Sequence, residues 1–267
     1  MIELLDRPAL KRKAAELLQN AQVSPKAMTA LYMGLVCVLS LIILFAGDEG
    51  ILATFLNIFV TLLSSVLSAG FVLYCMTVRQ GVRAEFPTLF DGFSFAGKLI
   101  MLDIAMYFFI FLWSMLFVIP GIIAAYRYQF AVYNLCENPG LTAMEALEMS
   151  KRQTYGYKGQ LFFLDLSYIG WTLLSGLPNI YFNFLATREI MLYVIRAGNP
   201  LALPEGDVLY AATGLSPLVR VLIAALWSLA VSLFYLPNRV CVELDYFEAG
   251  KRTSGVPEEE HRPIWSD

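Results

Sequence analysis

Residues 27–46 and 51–78 contain no Asp, Glu, Lys or Arg, and this absence of charge limits the possible folds more than any other feature. An α-helix rises about 1.5 Å per residue, so about 20 apolar residues cross a hydrocarbon core about 30 Å thick. Four further stretches, 97–118, 120–136, 160–177 and 217–237, are nearly as apolar and are separated by polar segments. Only 15% of the chain is charged, against about 25% in soluble domains. The expected fold is therefore all-α: one polytopic transmembrane bundle over residues 1–249, with about six spans and interfacial amphipathic helices.

The polar stretches read as surface elements. In residues 7–22, Leu10, Ala14, Leu17, Leu18 and Ala21 keep helical spacing while Lys11, Arg12 and Lys13 crowd the other side. This predicts an amphipathic helix over 1–26 lying among anionic lipid heads. The segment has no small-residue cleavage pattern after a short apolar core, so the first span is expected to stay in the mature protein. Phe86, Pro87, Phe90 and Phe93 mark a loop resting on the membrane surface. Asn138-Pro139-Gly140 makes a turn, and Thr142 with Glu145 forms a capping-box pattern. The helix it starts carries Glu148 and Arg152 at pairing distance and a second basic pair, Lys151 and Arg152, for lipid heads.

Between the third and fourth spans, Ile119-Pro120-Gly121 leaves no room for a hydrated loop. Pro120 is tolerated in a first helical turn, so a tight hairpin at Pro120 and Gly121 is expected, with a kinked or re-entrant element as the alternative. Residues 178–215 read as an insertion, because 184–195 is too short and too charged for a span and Asn199-Pro200 and Pro204-Glu205-Gly206 are loop signals. The last span is expected to end near Pro237, with 238–249 continuing on the surface and 250–267 forming a disordered tail.

Basic residues collect on one side: Arg7, Lys11, Arg12, Lys13 and Lys26, then Arg79, Arg83 and Lys98, then Lys151, Arg152 and Lys158, then Lys251, Arg252 and Arg262. On the opposite side the Gly47-Asp48-Glu49-Gly50 turn and the Pro120 turn carry none, and the long insertion 178–215 carries only Arg188 and Arg196. The positive-inside rule places both termini in the cytoplasm.

Ionisable residues inside spans are costly and mark candidate sites. Asp103 and Asp165 would each lie roughly 9 Å inside the cytoplasmic edge, where two carboxylates at matching depth can share a proton or a cation. Arg127 is expected nearer the outer side. The competing reading, favoured here, is that these groups hydrogen-bond neighbouring helices. Tyr126, Tyr128 and Tyr133, with Trp113, Trp171 and Trp227, either line a path or pack; packing is expected for Trp113 and Trp171.

Other chemistries lack their residues. The four cysteines, Cys37, Cys75, Cys136 and Cys241, are dispersed and the one histidine, His261, lies in the tail, so no metal site and no cofactor are expected. Gly-x-Ser-x-Gly, P-loop, HExxH and dinucleotide patterns are absent, which argues against an enzyme. A net charge of −3 gives no support for nucleic-acid binding.

Several segments together resemble an uncharacterised bacterial membrane-protein family, domain of unknown function 975. They are KRKAAELL near the N-terminus, LFDGFSFAGK before the third span, and the run LWSMLFVIPGIIAAYRYQFAVYNLCENPGLTAMEALEMSKRQTYGYKGQLFFLDLSYIGWTLL over residues 112–174. The likeness covers most of residues 7–177, with a longer connection before the last span than the family usually has. It implies a multi-pass protein of the bacterial cytoplasmic membrane and no defined activity. Similar Pro-Gly hairpins occur in membrane regions attached to bacterial glycerophosphodiesterases, which implies a helper role near lipids.

The functional expectation is a non-enzymatic accessory or scaffolding protein whose partners are the bilayer, anionic lipid heads on the cytoplasmic side, and a membrane protein or a second copy of the chain. The alternatives are a small transporter or channel using Asp103, Asp165 and Arg127, and, less favoured, a lipid-modifying enzyme.

Overall fold

The computed structural model describes residues 4–46, 50–199 and 207–255. The turn at 47–49, the loop signals at Pro200 and Pro204-Glu205-Gly206, and the tail from residue 256 with His261 lie outside the described residues.

The helices are α1 (Arg7–Gln19), α2 (Pro25–Ala46), α3 (Ile51–Arg79), a 3-10 helix (Phe86–Phe95), α4 (Ala96–Leu116), α5 (Val118–Tyr128), α6 (Ala131–Glu137), α7 (Ala143–Gln153), α8 (Lys158–Ala197), α9 (Val208–Thr213) and α10 (Pro217–Ser254). Among the described residues, five stretches are long and apolar enough to cross a membrane: Pro25–Leu44, Ile51–Arg79, Phe86–Leu116, Lys158–Ala197 and Pro217–Ser254. The chain is an all-α membrane protein.

Three expectations change. The fourth expected span, 120–136, is two short helices, α5 and α6, neither of span length alone. Together they return the chain to the start of α4, where Lys98 donates to the carbonyls of Pro139 at 2.5 Å and Gly140 at 3.1 Å. Residues 178–197, expected to be part of an insertion separate from the fifth span, continue its helix, because α8 runs for 40 residues through Pro178. Past Pro237 the expected surface helix is a buried one: α10 continues to Ser254, taking in the first residues of the expected tail at 250–254, and Cys241, Val242, Leu244, Tyr246, Phe247 and Ala249 are buried rather than on the surface. Membrane helices tolerate an internal proline when neighbours satisfy the freed backbone groups.

The described residues form two compact units, to which α2, α3, α8 and α10 each contribute. The first holds the chain up to Tyr32, Thr61–Tyr168 and the chain from Leu233 on. Here α4 and α5 make the hairpin: Phe117 is extended between them, Pro120 sits in the first turn of α5, and Gly121 packs on Ser114 so closely that a Cβ would meet its Oγ at 2.1 Å. The 3-10 helix lies on α3 through a similar backbone approach, Gly70 against the Leu89 carbonyl. Thr142 and Glu145 cap α7 reciprocally, at 3.3 Å and 2.8 Å. The exchange with Thr142 holds the Glu145 carboxyl below the usual carboxylate range. Phe247 of α10 fills the centre, its ring 5.6 Å from Phe130 and 5.7 Å from Tyr133.

The α5–α6 break leaves backbone groups that lipid cannot satisfy. Ser150 of α7 serves both ends of it: its Oγ accepts from the Phe130 N–H at 3.1 Å and donates to the Arg127 carbonyl at 2.9 Å. A reciprocal amide pair, Asn134 with Gln153 at 2.8 and 2.9 Å, fastens α6 to α7 one turn on.

The second unit comprises Met33–Val60 and Ile169–Ser232. Ser175 of α8 and Ser228 of α10 share a hydrogen bond of 2.9 Å. Leu173, Leu177, Ile180, Tyr181 and Phe184 are exposed along α8, as suits a surface facing lipid tails. Asp207 caps α9 by accepting from the Leu209 and Tyr210 N–H groups at 2.9 and 3.1 Å, and it pairs with Arg220 of α10.

Candidate functional site

The first unit gathers the polar residues of its long helices into one network. Asp165 lies two turns into α8, and Arg239 and Glu243 stand one turn apart on α10. Arg239 donates through Nη2 to Asp165 at 2.9 Å and through Nε to Glu243 at 2.8 Å. Tyr126 of α5 donates its hydroxyl to Asp165 at 2.9 Å, and Tyr133 of α6 donates to Glu243. Five side chains from four helices therefore form a chain: Tyr126, Asp165, Arg239, Glu243, Tyr133. Glu243 and Tyr133 are buried, whereas Asp165 and Arg239 are each 30% exposed. Two carboxylates share one guanidinium, and a charge left unpaired there would carry a large desolvation penalty.

The residues expected to form an intramembrane site are not assembled as one. Asp103 is buried on α4 and accepts from Ser65 of α3, a partner set separate from that of Asp165. Arg127 lies at the end of α5, where its carbonyl accepts from Ser150 and Thr154 of α7. Its backbone therefore packs against α7. Among the described residues no group of three or more His, Cys, Asp and Glu is arranged to hold a metal ion.

The basic residues of α1 face the protein as well as its surroundings. Lys11 donates to the Ser167 Oγ at 2.9 Å and sits 3.9 Å from the centre of the Tyr168 ring. Burial there, and Arg7 nearby, push its ammonium below the usual lysine range. The Lys11 carbonyl accepts from Asn238 Nδ2 at 2.9 Å, and Asn238 Oδ1 accepts from the Tyr168 hydroxyl at 2.7 Å. Lys13 pairs with Asp245 at 3.4 Å, while Arg12 reaches back to the Pro8 carbonyl. Lys151 and Arg152 are exposed on α7, Arg152 lying 3.9 Å from Glu148.

Of the aromatic candidates, Tyr126 and Tyr133 belong to the network and Tyr128 packs near Phe109, at 6.0 Å. Trp113 and Trp171 are not packed inside: they are 41% and 42% exposed. Arg239, Glu243, Asn238 and Ser150 went unnoticed in the sequence. The available signal was the Arg239–Glu243 spacing of four, followed by Leu244 and Phe247 at helical intervals, which marks a helix with one buried face.

Residues 115–197 match the family model described as Protein of unknown function (DUF975). The match extends through residue 197 and so takes in residues 178–197 of the expected insertion. No curated protein and no solved structure matches the chain.

Proposed function

With residues 115–197 belonging to the DUF975 family, we propose that this multi-pass membrane protein is a non-enzymatic accessory or scaffolding component of the bacterial cytoplasmic membrane, with both termini on the cytoplasmic side. The observation that carries this reading is the closure of the network. Asp165, Arg239, Glu243, Tyr126 and Tyr133 bond to one another, and Asp103 bonds to Ser65. Groups that a catalytic cleft or an ion path would present to a substrate are engaged in joining helices. Polar residues used this way fix a bundle that offers its surface, rather than an interior, to others.

Photo-crosslinkers placed in living membranes at exposed Phe90, Tyr155 and Phe184 test the reading. A reproducible adduct with one other membrane protein is the expected result; adducts with the chain alone at all three positions would overturn it.

One observation favours a second reading, a small transporter. Asp165 and Glu243 share a single cation, so the network carries an extra carboxylate that could accompany a cation or a proton. Proteoliposomes whose ion leak equals that of empty vesicles, with and without Glu243→Gln, would exclude it.

A further inference from the structure

A cavity of about 280 Å³ opens in the first unit among α1, α3, α6 and α10. Its charged lining comes from Lys13, Arg79, Glu137, Glu248 and Lys251, with Gln80 beside them, and Leu17, Met76, Leu244 and Phe247 form an apolar wall. Asp245 stands behind the lining, bonded to Arg79 at 2.8 Å and to Lys13 at 3.4 Å. With it included, three cations meet three carboxylates. A ligand carrying net charge would unbalance that set; one carrying both charges would not.

The charges are unequally held. Lys251 and Glu137 are mostly buried and pair at 2.5 Å. Arg79, 10% exposed, binds Asp245 closely. Lys13 and Glu248 differ from these. Lys13 is 58% exposed and makes the longer of the two contacts to an Asp245 that Arg79 already neutralises. Glu248 is 48% exposed and is held by Arg79 at 3.2 Å. Either can turn to a ligand while the inner pairs stay intact. One is a cation and the other an anion, and both belong to a cavity with an apolar wall.

We propose that this cavity is a binding site for a small zwitterion, an ammonium and an acid group on one short linker, either free or as the head of a lipid. The acid group lies on Lys13, the ammonium lies on Glu248, and the linker rests on the wall of Leu17 and Phe247. An ammonium offers three donors and a carboxylate about four acceptor positions, so each can serve a ligand while keeping a protein partner. The site is independent of the scaffold reading, since it uses none of the network residues.

The test uses the full chain in detergent and in nanodiscs. Free glycerophosphoethanolamine, a phosphodiester with one negative and one positive charge, is titrated while the melting temperature is followed, and native mass spectrometry compares retention of phosphatidylethanolamine with that of phosphatidylglycerol. A saturable rise with the free compound identifies a soluble ligand; selective retention of phosphatidylethanolamine identifies a lipid head. In either case Lys13→Gln and Glu248→Gln should each weaken binding about tenfold, the share of one charge-assisted hydrogen bond. Arg196→Gln, on α8 far along the sequence, should not. Equal binding of inorganic phosphate and phosphatidylglycerol would make this an anion site and overturn the proposal, as would no binding of any probe. Should either variant fail to fold, the preference of the unmodified chain for phosphatidylethanolamine over phosphatidylglycerol, or for glycerophosphoethanolamine over phosphate, still decides.

Discussion

Trp227 donates its indole N–H to the Leu174 carbonyl at 2.7 Å, the acceptor that Pro178, four residues on and lacking an N–H, cannot serve. A proline in α8 and a tryptophan in α10 thus form one device. The unpaired carbonyl that would weaken α8 in lipid becomes the attachment point for α10. Trp227→Phe keeps the ring and removes the donor, so it should destabilise the protein by about 1–3 kcal/mol. Pro178→Ala restores a backbone donor and should recover most of that loss. Melting temperatures of the two single variants and the double variant check the coupling; additive losses would break the link.

Ser150 is the equivalent device at the α5–α6 break. Ser150→Ala leaves the Phe130 N–H without its hydroxyl partner, while the Arg127 carbonyl keeps Thr154 at 3.2 Å. The expected cost is about 1–3 kcal/mol, that of one unsatisfied buried donor. Faster hydrogen exchange confined to residues 127–134 would locate the effect; unchanged exchange there would refute the bridge.

The hairpin is set by the small size of residue 121. Gly121→Ala forces a methyl against Ser114, an overpacking worth about 1–3 kcal/mol. Because the clash involves the Ser114 side chain, Ser114→Gly in the same protein should restore part of the loss in thermal unfolding.

In the network, Arg239→Gln leaves Asp165 and Glu243 with only their tyrosine donors; with Asp165 and Arg239 each 30% exposed, it should cost about 1–3 kcal/mol, less than breaking a fully buried pair. Asp103→Asn keeps an acceptor for Ser65 and should cost far less. Comparable losses from the two substitutions, measured by denaturation in detergent, would contradict the different roles assigned here.

Asp207 supplies a pH dependence outside the spans. Hydrogen bonds from Arg220, with the Tyr210 and Leu209 N–H groups, hold its carboxyl below the usual carboxylate range. A carboxyl depressed on folding contributes stability that is present above its unfolded value of about 3.9 and lost as pH falls through the lower folded value. The pair is partly solvent-exposed, so the contribution is small. Protection of the Leu209 and Tyr210 amides should fall in acid, and Asp207→Asn should flatten that dependence.

The positions of the long helices, the hairpin at Pro120 and Gly121 and the capping box at Thr142 were legible in the sequence. Each rests on local chemistry: the length of an apolar run, the missing N–H of a proline, a hydroxyl three residues from a carboxylate. The same local reasoning did not show that α8 runs on through Pro178, since whether a membrane helix continues past a proline depends on what a distant residue donates to the freed carbonyl. It also placed Asp103 and Asp165 at one depth without revealing that Ser65 and Arg239 take them apart. The sequence alone determined that this chain enters a membrane as helices, because lipid leaves a backbone few other ways to satisfy its hydrogen bonds. Which polar side chains meet was decided only by tertiary structure, because Asp165 and Arg239 stand 74 residues apart and no local rule pairs them.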